Sequence, residues 1–288
     1  MRSVALVGLL ALVAAVAADA TAQRPAFDMR GDTAFRPPAQ QCGNPPSTSL
    51  SVWLDGRNID GSNNGTLANN DPVTTWQDLG SNNDDPTQAV AGSKPTFIAS
   101  CIGGKACVRF DGGDVLNAVT AANFTFASNG NGSTVYTVVK QPAQGLGTHA
   151  ATSSGTSTNR GFGHRYNTLG RASFFLSDGT STTINANSSN DAFTTTTFNI
   201  FTTTLRTAST PDLTGYINWS SVLTGSGIAS ASAPANPLAV GAAGGGATSF
   251  LTGDVAQVLM YAVEHDSTQR AAVSAWLSCV YGAFPVTP

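Results

Sequence analysis

Ionisable residues are scarce in this 288-residue chain: only 11% of it is Asp, Glu, Lys or Arg, against about 25% in ordinary globular proteins. Glu264 is the lone glutamate, which excludes a paired-glutamate acid/base machinery. Histidine occurs only at 149, 164 and 265, too few and too scattered for a metal-ligand spacing or a nucleophile–base constellation. The net charge of −3 lacks the basic excess that nucleic-acid binding requires. Disorder is excluded as well, because 41% of the chain is hydrophobic and charge is low. Beyond residue 22 no run is apolar enough to predict a membrane span.

What is present begins with an export signal. Arg2, the apolar stretch from Val4 to Ala18, and Ala20 and Ala22 around Thr21 form a charged, an apolar and a cleavage region. Asp19 interrupts the run short of the roughly 20 apolar residues a span needs, so residues 1–22 predict a secreted or surface product with no transmembrane segment after processing. Cleavage after Ala22 removes Arg2 and Asp19 together and leaves the net charge unchanged. Residues 23–48, with Pro25, Pro37, Pro38, Pro45 and Pro46, read as a proline-rich linker or arm. A single domain is expected over 49–284 and a short tail over 285–288.

Within that domain, short β-type runs alternate with turns rich in Gly, Asn, Asp and Ser. SVWLD, VTTWQD, KPTFIA, ACVRFD, STVYTVVK, ASFFLS, LTGYINW and DVAQVLMY are the clearest. Many strands without intervening helices predict an all-β fold, an antiparallel jelly-roll β-sandwich. One short C-terminal helix is expected where Val273, Trp276, Leu277 and Val280 form an apolar stripe. Asp266 and Gln269 supply a capping box and Gly282 the stop, and the stripe assigns Trp276 to the core.

Four cysteines in an exported chain imply two disulfides, with three connectivities open. A three-residue hairpin loop at Gly103, Gly104 and Lys105 would set Cys101 opposite Cys107, leaving Cys42 to join Cys279. Sequons stand at Asn64, Asn123, Asn131, Asn187 and Asn218, as chance allows in an Asn- and Thr-rich chain.

Ligand-binding candidates come from aromatics beside amides and cations. Tyr216, Asn218 and Trp219 lie in one strand-like run, where alternation places Tyr216 and Asn218 on one face and Trp219 on the other. Trp219 could equally belong to the core. His164 and Tyr166, with Arg160 and Arg165 nearby, would suit a lyase that needs a base and a cation, or else a polar edge strand.

The opening VWLDG (Val52 to Gly56), WQDLGSNND (Trp76 to Asp84), GGKACVRFDGGDVL (Gly103 to Leu116) and GDVAQVLMYAVEHDSTQRAAVSAWLSCVYG (Gly253 to Gly282) resemble, in order and spacing, the laminin G-like jelly rolls of the concanavalin A-like lectin/glucanase superfamily. The resemblance implies a lectin-like module whose partner is an extracellular glycan or glycoprotein. Glycosidases of that superfamily carry an E-x-D-x-E strand, which this chain lacks, and Gln257 stands where relatives commonly have Glu; this argues against an enzyme. Relatives often bind calcium through loop carboxylates, which here would be Asp111 and Asp114. No other cofactor is implied. Three functions follow: a non-catalytic lectin-like module, a structural or adhesive protein that assembles with itself or a surface partner, and a glycan-cleaving glycosidase or lyase.

Overall fold

The computed structural model describes residues 42–282 and 284, apart from 128–131, 143–144, 155–159, 168, 170, 178, 180–182, 189–194, 207–211, 227–232 and 247. The predicted signal, most of the arm and the tail lie outside the described residues, as does Asn131. No described helix is long and apolar enough to cross a membrane.

In chain order the strands begin with β1 (Leu50–Asp55), β2 (Thr96–Ile102), β3 (Lys105–Asp111), β4 (Leu116–Asn117), β5 (Ser133–Lys140), β6 (Gly147–Ala151) and β7 (Gly161–Tyr166). They continue with β8 (Ala172–Ser177), β9 (Thr183–Asn187), β10 (Asn199–Leu205), β11 (Leu213–Ile217), β12 (Ser220–Gly225), β13 (Ala239–Val240) and β14 (Thr252–Tyr261). The helix α1 (Ser267–Tyr281) closes the chain. An eight-stranded sheet runs β12-β11-β10-β5-β14-β3-β2, with β1 also paired to β14, and a six-stranded sheet runs β4-β13-β6-β7-β8-β9. Every pairing between these strands is antiparallel. The molecule is an all-β sandwich with one C-terminal helix.

Both faces of the large sheet are covered, and β5 shows how its sequence permits this. Val135 and Val139 face the core shared with the small sheet, while Tyr136 and Val138 face the core beneath α1. A strand covered on both sides reads as a continuous apolar run rather than an alternation. β14 behaves likewise, with a bulge between Val255 and Gln257. The bulge brings Ala256 and Gln257 to the helix side together: Ala256 joins the core under α1, and Gln257 Oε1 accepts from the Tyr281 hydroxyl at 2.7 Å.

α1 forms as its sequence signals require. Asp266 accepts from the Gln269 amide while the Gln269 side chain accepts from the Asp266 amide, and Gly282 ends the helix at φ 63°. Val273, Trp276, Leu277 and Val280 are all buried against the large sheet.

Two local expectations change. VTTWQD forms isolated bridges, not a strand. It still buries Trp76 completely, with its indole N–H donating to the Asp55 carbonyl at 3.2 Å. The β2–β3 loop has two residues, not three: Gly103 (φ 55°) and Gly104 (φ 73°) link Ile102 to Lys105. A Cβ at Gly103 would lie 2.3 Å from the Tyr281 carbonyl oxygen, so glycine is required both for the turn and for its approach to the helix.

The disulfides join Cys42 to Cys279 and Cys101 to Cys107. Cys107 is laddered with Ile98, so the second bridge spans an irregular stretch of β2 rather than a directly opposed pair.

Candidate functional site

β1 carries its side chains alternately to the two cores, and Trp53 falls on the helix side at the margin of the large sheet. Its indole meets Trp276 edge-on, with ring centroids 6.3 Å apart. Trp53 is only half-buried, and two adjoining hollows of about 250 and 320 Å³ share Trp53, Asn44 and Leu79 as lining. Together they form one open groove along the tryptophan.

Three segments build its walls. The first is the chain just after Cys42: the Cys42–Cys279 bridge and a hydrogen bond from the Trp276 indole N–H to the Gly43 carbonyl fix it, placing Asn44, Pro45 and Ser47 beside the ring. The second is the loop after β1, where Asn58 Oδ1 accepts from the Asn63 amide and Asp60 accepts from the amides of Ser62, Asn64 and Thr66. Desolvation acts to raise its carboxyl, but the Thr66 hydroxyl, which also donates to it, and these amides outweigh that and hold it down at about 2. The third is the turn at Leu79–Ser81, pinned by Asp78, which accepts from the amides of Trp53 and Gly80.

The chemistry of the groove is polar and nearly uncharged. Asp55 is buried and clamped by Arg57 through Nε and Nη2, the shortest contact being 2.6 Å, and the guanidinium lies 5.5 Å from the Trp276 ring. That pair cancels its own charge. The side chains of Asn44 and Asn63 are exposed along the groove, and the Trp53 indole N–H is buried without a hydrogen-bond partner among the described residues. An aromatic body with amides that can both donate and accept suits a ligand having one apolar face and a rim of hydroxyls.

The residues singled out in the sequence go elsewhere. His164 and Tyr166 point into the sandwich and are 1% and 2% exposed. His164 is held between Thr137 of β5 (3.4 Å) and Thr203 of β10. Alternation along β7 places them on the covered face, so they are core residues closed to a ligand. Asn218 (φ 47°) and Trp219 (φ 74°) are not in a strand but form the two-residue turn between β11 and β12. Asn218 Oδ1 accepts from the Ile200 amide and its Nδ2 donates to Asn199, while Trp219 tucks beneath onto Tyr136. Tyr216, half-buried, carries the Arg270 guanidinium 4.5 Å above its ring. These three are therefore not assembled as a binding face. Asp111 accepts from the Gly113 amide and Asp114 from the Asp111 amide, so both serve the turn after β3. Burial, and then the neighbouring Asp111, raise Asp114 to about 6. Among the described residues the one cluster of three metal-ligating side chains is Cys101, Cys107 and Asp254, whose sulfurs are already bonded to each other.

No protein-family model matches the chain, and no curated protein matches it in sequence. Solved structures match in fold. The binding domain of Paraclostridial Mosquitocidal Protein 1 is 12% identical with a TM-score of 0.53, covering 80% of this chain and 52% of that one. Trypanosoma rangeli sialidase in complex with the inhibitor DANA is 13% identical with a TM-score of 0.53, covering 87% and 37%. A Ruminococcus gnavus sialidase CBM40 bound to sialyllactose covers 59% of this chain and 95% of its own length, at 10% identity and a TM-score of 0.45. This chain thus spans about half of the toxin domain and a little over a third of the Trypanosoma enzyme. At such identities the likeness is one of fold.

In the sequence Trp53 stands only inside the strand-like run SVWLD. The sign that pointed further was the run of Asn and Ser on both sides of it, in NPPSTS and in NIDGSNNG. Gln257, at the position where an acid would be sought, is buried under Tyr281 and laddered opposite Asp55 of β1. Gln257→Glu is therefore expected to lower stability by about 2 kcal/mol through a buried carboxyl. Thermal unfolding would read this, and no glycan cleavage should accompany it.

Proposed function

We propose that this protein is an exported, non-catalytic, lectin-like module that binds a neutral extracellular glycan in the groove over Trp53. The observation that carries the reading is the partly buried indole flanked by the exposed side-chain amides of Asn44 and Asn63 in a pre-formed hollow, the arrangement that stacks on a sugar ring while bonding its hydroxyls. Fold likeness to a toxin binding domain and to a stretch of a sialidase fits a glycan-handling scaffold, although a fold of this kind hosts many functions. The motifs from Val52 to Gly282 support placing it among laminin G-like jelly rolls. Two disulfides and the lack of a membrane-spanning helix among the described residues are compatible with an extracellular address. The export signal at 1–22, the arm at 23–48 and the domain at 49–284 are part of the same proposal.

A glycan array, run with and without calcium, followed by titration calorimetry on the best neutral oligosaccharide, tests it. Trp53→Ala should weaken binding at least tenfold with the fold intact by circular dichroism, because aromatic anchors dominate such contacts. Absence of any neutral glycan ligand in both conditions, or unchanged affinity in the Trp53→Ala variant, would overturn the reading.

A further inference from the structure

A second hollow, of about 380 Å³, lies beside the C-terminal end of α1 and is lined by Cys101, Gly103, Lys140, Thr196, Thr197, Phe198 and Asn218 together with buried Phe284. Its volume is within the range of small-molecule sites. No Asp or Glu lines it, and Lys140 is its one cationic side chain. Lys140 makes no ion pair among the described residues: Asp254, its ladder neighbour on β14, is claimed by Arg109 through two contacts of 2.7 and 3.1 Å. Phe198 is half-buried, and Thr196 and Thr197 are exposed, so an apolar ring and two hydroxyl-bearing residues share the lining with Lys140.

Asp254 lies opposite Lys140 and its carboxylate is within 4.8 Å of the Cys101 and Cys107 sulfurs, but Arg109 balances it, so the Lys140 charge is left over beside an aromatic wall and selects a ligand that carries a carboxylate on an otherwise polyhydroxylated ring. We infer that this hollow is a second site, separate from the Trp53 groove, that takes the carboxylated residue of an acidic saccharide. Lys140 donates to the carboxylate, Phe198 packs on the ring, and Thr196 and Thr197 hydrogen-bond hydroxyls. A charge-assisted hydrogen bond of this type is about twice as strong as a neutral one, so Lys140 is the discriminating residue. The carboxylate could belong to a uronic acid or to a sialic acid, and both chemistries meet the same ammonium.

Titration calorimetry with trigalacturonic acid, its methyl ester and sialyllactose tests the inference on the full mature chain. At least one acidic probe should bind. If it is trigalacturonic acid, the methyl ester should bind at least tenfold more weakly, a comparison that needs no variant. Lys140→Gln should reduce acidic-probe affinity at least tenfold and abolish its salt dependence, whereas Lys140→Arg should keep most of it. Trp53→Ala should leave this binding unchanged, which separates failure here from failure at the Trp53 groove. Lack of binding by both acidic probes, equal affinity for the ester, or unaltered affinity in Lys140→Gln would overturn it.

Discussion

Lowering the pH from 7 to 5 is expected to remove about 4 kcal/mol of folding stability, enough to bring a domain of ordinary stability close to unfolding. The cause is that all three histidines are buried in neutral form. His149 lies between the sheets with neither ring nitrogen partnered and its ring 4.6 Å from Phe201, and burial pushes it down to about 3. Burial, with His149 as a lesser contributor, holds His164 well below the ordinary range. His265, accepting or donating at Nδ1 to the Tyr136 hydroxyl, falls to about 4, again chiefly through burial.

Because the folded values lie below the unfolded one, stability is full above pH 6.5 and declines as pH falls, the unfolded chain taking up protons the folded one refuses. By pH 5 each histidine costs about 2 kcal/mol. Asp114 works in the opposite sense: its folded value of about 6 exceeds the unfolded one, so acid returns about 1 kcal/mol there. Asp78, also raised by burial, adds to that return. Urea unfolding at pH 7, 6 and 5 measures the slope, and His149→Leu, which removes one titrating ring from an apolar site, should flatten it by about half. Stability that is level across this range would refute the burial account.

Removing the Cys42–Cys279 clasp should have the other large effect. The bridge closes a separation of 237 residues, for which the chain-entropy estimate is about 5 kcal/mol. The Cys101–Cys107 bridge closes only six residues, worth about 2 kcal/mol on the same estimate. The clasp also fixes the segment carrying Asn44, Pro45 and Ser47, so its loss should open one wall of the Trp53 groove. Cys42→Ala with Cys279→Ala is therefore expected to lower the denaturation midpoint and to weaken neutral-glycan binding at least tenfold. The paired substitution at Cys101 and Cys107 should affect stability less and leave that binding in place. Both cysteines of the clasp are half-buried whereas Cys107 is fully buried, so a mild reductant should loosen the termini before the sandwich. Undiminished glycan affinity in the clasp variant, measured below its unfolding midpoint, would show that the arm is not part of the site.

The large effects arise from residues whose meaning depends on what covers them. His164 and Tyr166 are a clear instance. Alternation along β7 established that they share a face, but whether that face meets water or the large sheet is decided by strands β5 and β10, distant in sequence. The same holds for Tyr216 to Trp219. Two-residue hairpin turns are usually announced by glycine, and Asn218-Trp219 has none, so the turn read as strand. Only the pairing of Ile217 with Ser220 reveals it.

By itself the sequence determined the features held by interactions over a few residues: the many short strands, the capping box at Asp266, the glycine stop of α1 and the turn at Asp111 to Asp114. Each is a local match between side-chain chemistry and backbone conformation, which spacing records. Tertiary structure alone decided that the large sheet is covered on both faces, that three histidines are sealed inside, and that Asn44, Asn63, Leu79 and Trp276 converge on Trp53. No local periodicity encodes such a convergence, because loop segments joined by a 237-residue disulfide and by sheet packing meet through the fold and not along the chain.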